Sequence, residues 1–177
     1  ATTEFAAAVR SAYSAAAARR IATLRGTCDP EEAFIAALMQ DLGMPAIFTA
    51  MGKPYADLMS RAARLGDHSK LGAIERETLQ FDHAQAGAKL AERWRLPGDI
   101  VKAIRSHHAS EAANQEEIVR AVALGYQAAS VLISGDSSEA LARFNLKSND
   151  WFGMASAEAA GLLATIAEDA REISRLF

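Results

Sequence analysis

Ala33-Phe34-Ile35-Ala36-Ala37-Leu38-Met39-Gln40-Asp41-Leu42-Gly43 is the stretch on which the reading of this chain turns. Seven apolar residues run without a charge into Gln40-Asp41, and Gly43 follows where a helix would stop. Upstream, Asp29-Pro30-Glu31-Glu32 is a strong helix start: Asp29 can cap, and Pro30 suits the first helical position, where its missing N–H is not needed. The spacing predicts a helix over residues 30–41 with Asp41 at its end. An imidazole before that aspartate would complete a pair of metal ligands. A neutral amide is not a strong ligand for a transition metal, and Gln40 supplies an amide.

Outward from this stretch the pattern is helical nearly throughout. Thr3–Arg25 carries Phe5, Val9, Tyr13, Ala16, Ala17, Ile21 and Leu24 at helical spacing, and Gly26 closes it. Pro45 is expected to open a short helix that breaks at Gly52. Pro54 opens another, with Leu58, Met59, Ala62 and Leu65 on one face, before a polar loop at 66–70. Asp82 reads as an N-cap with Gln85 in the capping-box position. Its helix is expected to end at Leu96-Pro97, because the residue before proline disfavours helical geometry. Pro97 starts the next helix, which carries Ile100, Val101, Ile104 and His108. After a loop at 110–114, residues 116–133 form a helix with Val119, Val122, Ala123, Tyr126, Ala129 and Leu132 inward. A turn at 135–138, a short helix over 139–144 and a final amphipathic helix from Ser156, striped by Leu163, Ile166, Ala170, Ile173 and Phe177, complete the chain. No segment alternates convincingly as a strand. The expected fold is all-α, a multi-helix bundle in one domain spanning residues 1–177.

Composition narrows the function. The formal net charge is −3, evenly spread, whereas a nucleic-acid footprint needs a basic face. Cys28 is the only cysteine, so no internal disulfide forms, and a reducing compartment, the cytoplasm, is expected. Cys28 itself reads as a small hydrophobe rather than a nucleophile. No apolar run approaches the ~20 residues that span a bilayer, and the N-terminus lacks a charged region followed by an apolar core. Neither a membrane span nor a secretory signal is expected.

The order and spacing of several elements resemble the HDOD domain, a bacterial signalling module related to the HD and HD-GYP phosphohydrolases. They are the 34–43 stretch, Glu75 and Glu77, Asp82-His83, Gly87, Leu90, Trp94, Leu96-Pro97, Ile100, Ile104 and His107-His108. The similarity covers roughly residues 12–132. Residues 1–135 read as the core, and 136–177 as a helical C-terminal extension. The additional helical portion that HDOD domains carry ahead of Tyr13 is expected to lie outside this chain.

The resemblance also implies where the catalytic pattern is broken. The first metal-binding histidine of an HD enzyme falls near Tyr13-Ser14, and a tyrosine stands there. The histidine of the His-Asp pair is Gln40. The last aspartate falls within Ala123-Leu124-Gly125-Tyr126, where no carboxylate is present, and no Gly-Tyr-Pro element follows His108. Asp41, His83 and one of His107 and His108 correspond to the second metal position of binuclear relatives. The degenerate site thus comprises Tyr13, Gln40, Asp41, His83, His107 and His108, with no catalytic residue assigned. Its favoured reading is a structural polar cluster without a cofactor. The alternative is one divalent transition metal held by Asp41, His83 and His107 or His108.

Glu75 and Glu77 do not qualify as a paired acid–base, since residues two apart on a helix do not share a face. Trp94 and Trp151 are expected in the core, and Arg19-Arg20 and Arg93-Arg95 on solvated faces. The functional expectation is a non-catalytic cytoplasmic signal-transduction module that offers a helical surface to other signalling proteins or domains, or to a second copy of itself, and not to nucleic acid or membrane. The alternatives are a divergent metal-dependent phosphohydrolase and a nucleotide-sensing domain.

Overall fold

The computed structural model describes residues 3–65, 70–108, 115–133 and 138–174. The expected loops at 66–69, 110–114 and 135–137, and Phe177 at the end of the last stripe, lie outside the described residues. Ten helices and no strand are present among the described residues, so the fold is all-α as expected.

The centre of the bundle is built from alanine. Helix α1 (Thr3–Arg25) buries Ala12, Ala15, Ala17 and Ala18 and packs along α2 (Pro30–Met39) and α8 (Glu117–Ile133). Small side chains let these backbones approach closely. Gly125 on α8 is the extreme case: a Cβ there would lie 2.7 Å from the Ser14 carbonyl oxygen on α1. Gly26 ends α1 with φ +63°, a left-handed conformation that only glycine adopts without steric cost. Asp29 then caps α2, its carboxylate accepting the N–H groups of Glu31 and Glu32 at 2.9 Å each.

Helix α2 stops at Met39, two residues short of the expected end. Residues 40–42 form a turn, and α3 (Gly43–Met51) begins before Pro45, which sits in its first turn. Gln40 and Leu42 keep helical dihedrals. Pro30–Met51 therefore makes a helical stretch of 22 residues, long and apolar enough by length and composition to cross a membrane. That corrects the expectation that no such stretch exists. Its inner face, Ala33, Ala36, Ala37, Gly43 and Met44, is built into the protein core.

Helices α4 (Lys53–Arg64) and α5 (Leu71–Leu79) form a satellite against α3. Its small core comprises Met44, Ile47, Tyr55, Ala62, Leu71 and Ile74, with Leu58 and Met59 at the edge. Leu65 was expected on this face but caps α4 and is 52% exposed.

Helix α6 (His83–Arg93) starts with the expected reciprocal capping box between Asp82 and Gln85. It ends at Arg93 rather than near Leu96, because Arg95 turns left-handed at φ +59°. That early stop moves Trp94 out of the helical stripe to the cap position. Trp94 is 55% exposed, not in the core, and Leu96 packs inward instead. Helix α7 (Gly98–Ser106) follows Pro97 and buries Ile100, Val101 and Ile104.

A second core joins α1 and α8 to α9 (Ser138–Phe152) and α10 (Ser156–Ser174). Helix α9 runs well beyond the expected 139–144. Phe144, Ser148 and Trp151 lie along its buried side, and the Ser148 hydroxyl donates to the Phe144 carbonyl oxygen at 2.7 Å, so a polar residue does not break it. Trp151 is in the core as expected, and burying a side chain of this size contributes on the order of 2–3 kcal/mol. Arg20 is not simply solvated: its guanidinium donates twice to Asp169 on α10, at 2.5 and 2.8 Å.

Candidate metal centre

Three helix termini converge on one point. Asp41 stands in the turn between α2 and α3, His83 is the first residue of α6, and His107 and His108 follow the last residue of α7. One donor atom from each of these four lies within 4.8 Å of all the others. Asp41, His83 and His107 are buried and His108 is half-buried.

A close backbone approach brings the turn to α6. A Cβ on Gly43 would lie 1.9 Å from the His83 carbonyl oxygen and 2.8 Å from the Gly87 nitrogen, so only glycine lets α3 seat here. The Asx cap at Asp82 fixes where α6 starts and so where His83 points. Ile100, Val101 and Ile104 anchor α7 in the core and deliver His107-His108 to the same point.

The ring nitrogens have assigned roles. His83 Nδ1 donates to Glu75 Oε2 at 2.6 Å, and the His83 backbone N–H donates to the same oxygen at 2.9 Å. Glu75 Oε1 accepts the Tyr55 hydroxyl at 2.5 Å. His107 Nδ1 donates to the Ile104 carbonyl oxygen at 2.7 Å. With their protons on Nδ1, the neutral rings turn the lone pairs of both Nε2 atoms toward the cluster. His83 Nε2 lies 2.8 Å from His108 Nε2 and 3.6 Å from Asp41 Oδ1, and His107 Nε2 lies 3.4 Å from the same oxygen. Tyr126 closes one side with its ring 4.8 Å from His108, edge to face.

Charge sets what the cluster needs. Asp41 and Glu75 are two buried carboxylates, and buried charge is costly unless neutralised. Burial disfavours protonation of His83. The hydrogen bond to Glu75 and the charges of Asp41, Glu75 and Asp82 outweigh it and raise its pKa above the ordinary histidine value. Two added protons or one divalent cation would balance the pair of carboxylates.

The donor set fits a divalent transition metal. Three imidazoles and one carboxylate are borderline N/O ligands of the kind zinc and iron take. His107 Nε2 is buried and makes no hydrogen bond to the protein. Each of the two buried imidazoles donates its other N–H to an oxygen, the usual outer-shell arrangement of metal-binding histidines. Ligand atoms at about 2.1 Å from one metal in a tetrahedral site lie about 3.4 Å apart, so the widest pair, within 4.8 Å, closes with side-chain shifts totalling about 1.4 Å.

Of the six residues singled out in the sequence, four meet in this group. Tyr13 lies half-buried on α1. Gln40 is fully buried beside Asp41, and neither its amide oxygen nor its amide nitrogen is hydrogen-bonded to the protein. Within 123–126 the structure places buried apolar side chains and the Tyr126 ring. Sequence reasoning missed Glu75 and Tyr55 as members of the site. Glu75 was weighed only against Glu77 on its own helix, whereas its partner stands eight residues on, at the start of the next. Cys28 is half-buried and its thiol is pushed up by burial first, then by Asp29 and Glu32, in keeping with a hydrophobe.

The fold is similar to two solved bacterial structures. One is a candidate phosphohydrolase from Shewanella amazonensis SB2B, with TM-score 0.68 and 22% identity over 93% of this chain. The other is an HDOD domain protein of unknown function from Geobacter sulfurreducens, with TM-score 0.77 and 22% identity over 97% of this chain. This chain spans 62% of the length of each. No curated protein matches it. Its own sequence matches the HDOD domain over residues 4–110, which carry Asp41, His83, His107 and His108, and on that match the chain belongs to the HDOD family.

Proposed function

We propose that this chain is a non-enzymatic, cytoplasmic regulatory module whose core cluster is a closed clasp, holding one divalent transition metal and acting on other signalling proteins through its helical surface. The observation that carries the reading is the donor set. Four protein groups point at one site and three of them are buried. A catalytic metal centre keeps a coordination position open for water or substrate, whereas four protein ligands make a structural one. A metal with an open position would polarise a phosphoryl oxygen and lower the pKa of bound water. Here Asp41, His83, His107 and His108 would occupy the positions that chemistry needs. The other metal position of the enzymes has no ligand where Tyr13, Gln40 and residues 123–126 stand. The single cysteine favours a reducing compartment.

One observation favours a second reading, a mononuclear phosphohydrolase. His108 is the least buried of the four donors and adjoins the surface, so it is the one that substrate could displace. Elemental analysis of the purified chain separates the readings when combined with turnover assays on nucleotides and cyclic dinucleotides. One equivalent of metal with no turnover is the expected result. Metal-dependent hydrolysis would establish the second reading, and protein free of metal after growth and titration with zinc and iron would leave a proton-sharing polar cluster.

A further inference from the structure

The satellite formed by α4 and α5 reaches the cluster through one buried chain of hydrogen bonds. Tyr55 is the third residue of α4 and is fully buried. Its hydroxyl donates to Glu75 Oε1 on α5, and Glu75 Oε2 takes both the backbone N–H and the ring Nδ1–H of His83. A second tether runs alongside, since Arg76 of α5 pairs with Asp82, the cap residue of α6. Helix α4 packs on α3 and α5 among the described residues, so it touches the centre of the bundle through few contacts.

Each link has a reason to be geometrically strict. Tyr55 and Glu75 have no exposed surface, so a broken link leaves a buried polar group without a partner. One oxygen of Glu75 serves two donors of the same residue, which fixes both the start of α6 and the tilt of the His83 ring. Moving α4 outward withdraws the Tyr55 hydroxyl, frees Glu75 to turn, and releases the ring that presents Nε2 to the cluster.

We infer that Tyr55 and Glu75 are positioning residues that couple the packing of α4–α5 to cation binding at Asp41, His83, His107 and His108, so that the satellite is the element through which the site is regulated. This rests on the proposed metal reading of the cluster. Coupling of this kind is reciprocal. A cation bound at the cluster holds α4 and α5 closed, and anything that pulls α4 away weakens the cation by the same factor. Outer-shell partners of metal-binding histidines change metal affinity by about 10–100-fold when removed. Glu75→Gln, which cannot accept from both Tyr55 and His83 while keeping its shape, falls at the upper end. Tyr55→Phe, which leaves the Glu75–His83 contact in place, falls at the lower end.

The test is amide hydrogen exchange of the 177-residue chain with and without cobalt(II), whose visible absorption reports binding directly. The expected result is that cobalt slows exchange in α4 and α5 as well as around the ligands. In Tyr55→Phe, cobalt still binds, about 10-fold more weakly, and no longer slows exchange in α4. The wild-type comparison stands even if a variant fails to fold. Cobalt bound to the wild-type chain with α4–α5 exchange unchanged overturns the coupling and leaves the metal site intact. A slowing of α4 in Tyr55→Phe equal to wild type overturns the role of the phenol. No cobalt absorption at all overturns the metal site, and the coupling with it.

Discussion

The buried polar groups on the Asp41 side and on the Gln40 side of the α2–α3 turn are supported differently. On the side of Asp41, His83 and His107, every buried imidazole keeps an oxygen on its far nitrogen: Glu75 backed by Tyr55 for His83, and the Ile104 carbonyl for His107. For Gln40, and for Ser14 where α1 meets α8, no such support is present among the described residues. The Gln40 amide and the Ser14 hydroxyl are buried without a hydrogen bond to the protein, and α1 and α8 meet backbone to backbone at Gly125. The contrast teaches that the imidazoles of the cluster are held by partners beyond it, whereas the Gln40 amide is held by packing alone. Burying the Gln40 amide and the Ser14 hydroxyl without a protein partner carries a desolvation cost.

The strongest way to break the Asp41 side is steric. Gly43→Ala forces a methyl group against the His83 carbonyl, and it should lower stability by about 3 kcal/mol or more while pulling Asp41 from the histidines. Denaturant midpoints and cobalt titration of the same variant check both effects. Wild-type stability in the variant would mean that α3 and α6 do not meet as described.

Metal removal comes next. On the proposed metal reading, a cation at 100 times its dissociation constant should stabilise the chain by about 2.7 kcal/mol, which a chelator reverses. Asp41→Asn should abolish that gain, because it removes the one carboxylate among the donors. A thermal melt with and without zinc reads it.

The other side should respond in the opposite direction. Gln40→Met deletes a buried amide that has no protein partner and keeps roughly the same volume, so it should stabilise the chain by about 1 kcal/mol. Destabilisation by a similar amount would show that the amide is satisfied in solution and that this side is still a polar site.

A surface pair supplies the smallest effect and a control. The Asp169 carboxyl is held below its ordinary range first by its hydrogen bond to Arg20; burial opposes this, and the charges of Arg20 and Arg19 add to the lowering. Its folded pKa lies below the unfolded value. The contribution is therefore present above about pH 4 and is lost as the pH falls through the folded pKa. Both side chains are partly exposed, so it should not exceed about 1 kcal/mol. The difference in acid stability between wild type and Asp169→Asn measures it, and a larger loss would mean the α1–α10 seam depends on this pair.

Much of the fold could be read from local signals. Asp29 with Pro30, Asp82 with Gln85, and the left-handed glycine after α1 act within one turn of chain, and all three stand where their chemistry predicts. Local signals failed where tertiary packing competes with propensity. Trp94 has the composition of a core residue, but the turn at Arg95 puts it at a cap. Helix α9 passes through Asn145, Ser148 and Asn149 because Phe144 and Trp151 have a core to bury against.

The candidate site divides along the same line. Asp41, His83, His107 and His108 could be named from their residue types and order, because donor chemistry belongs to the side chain itself. That they come within a few ångströms of one another depends on Gly43 meeting the backbone of α6, a contact between segments some forty residues apart. Glu75 and Tyr55 entered the site only through folding. A carboxylate takes its role from whichever donor packing sets beside it, and no spacing along the chain encodes that.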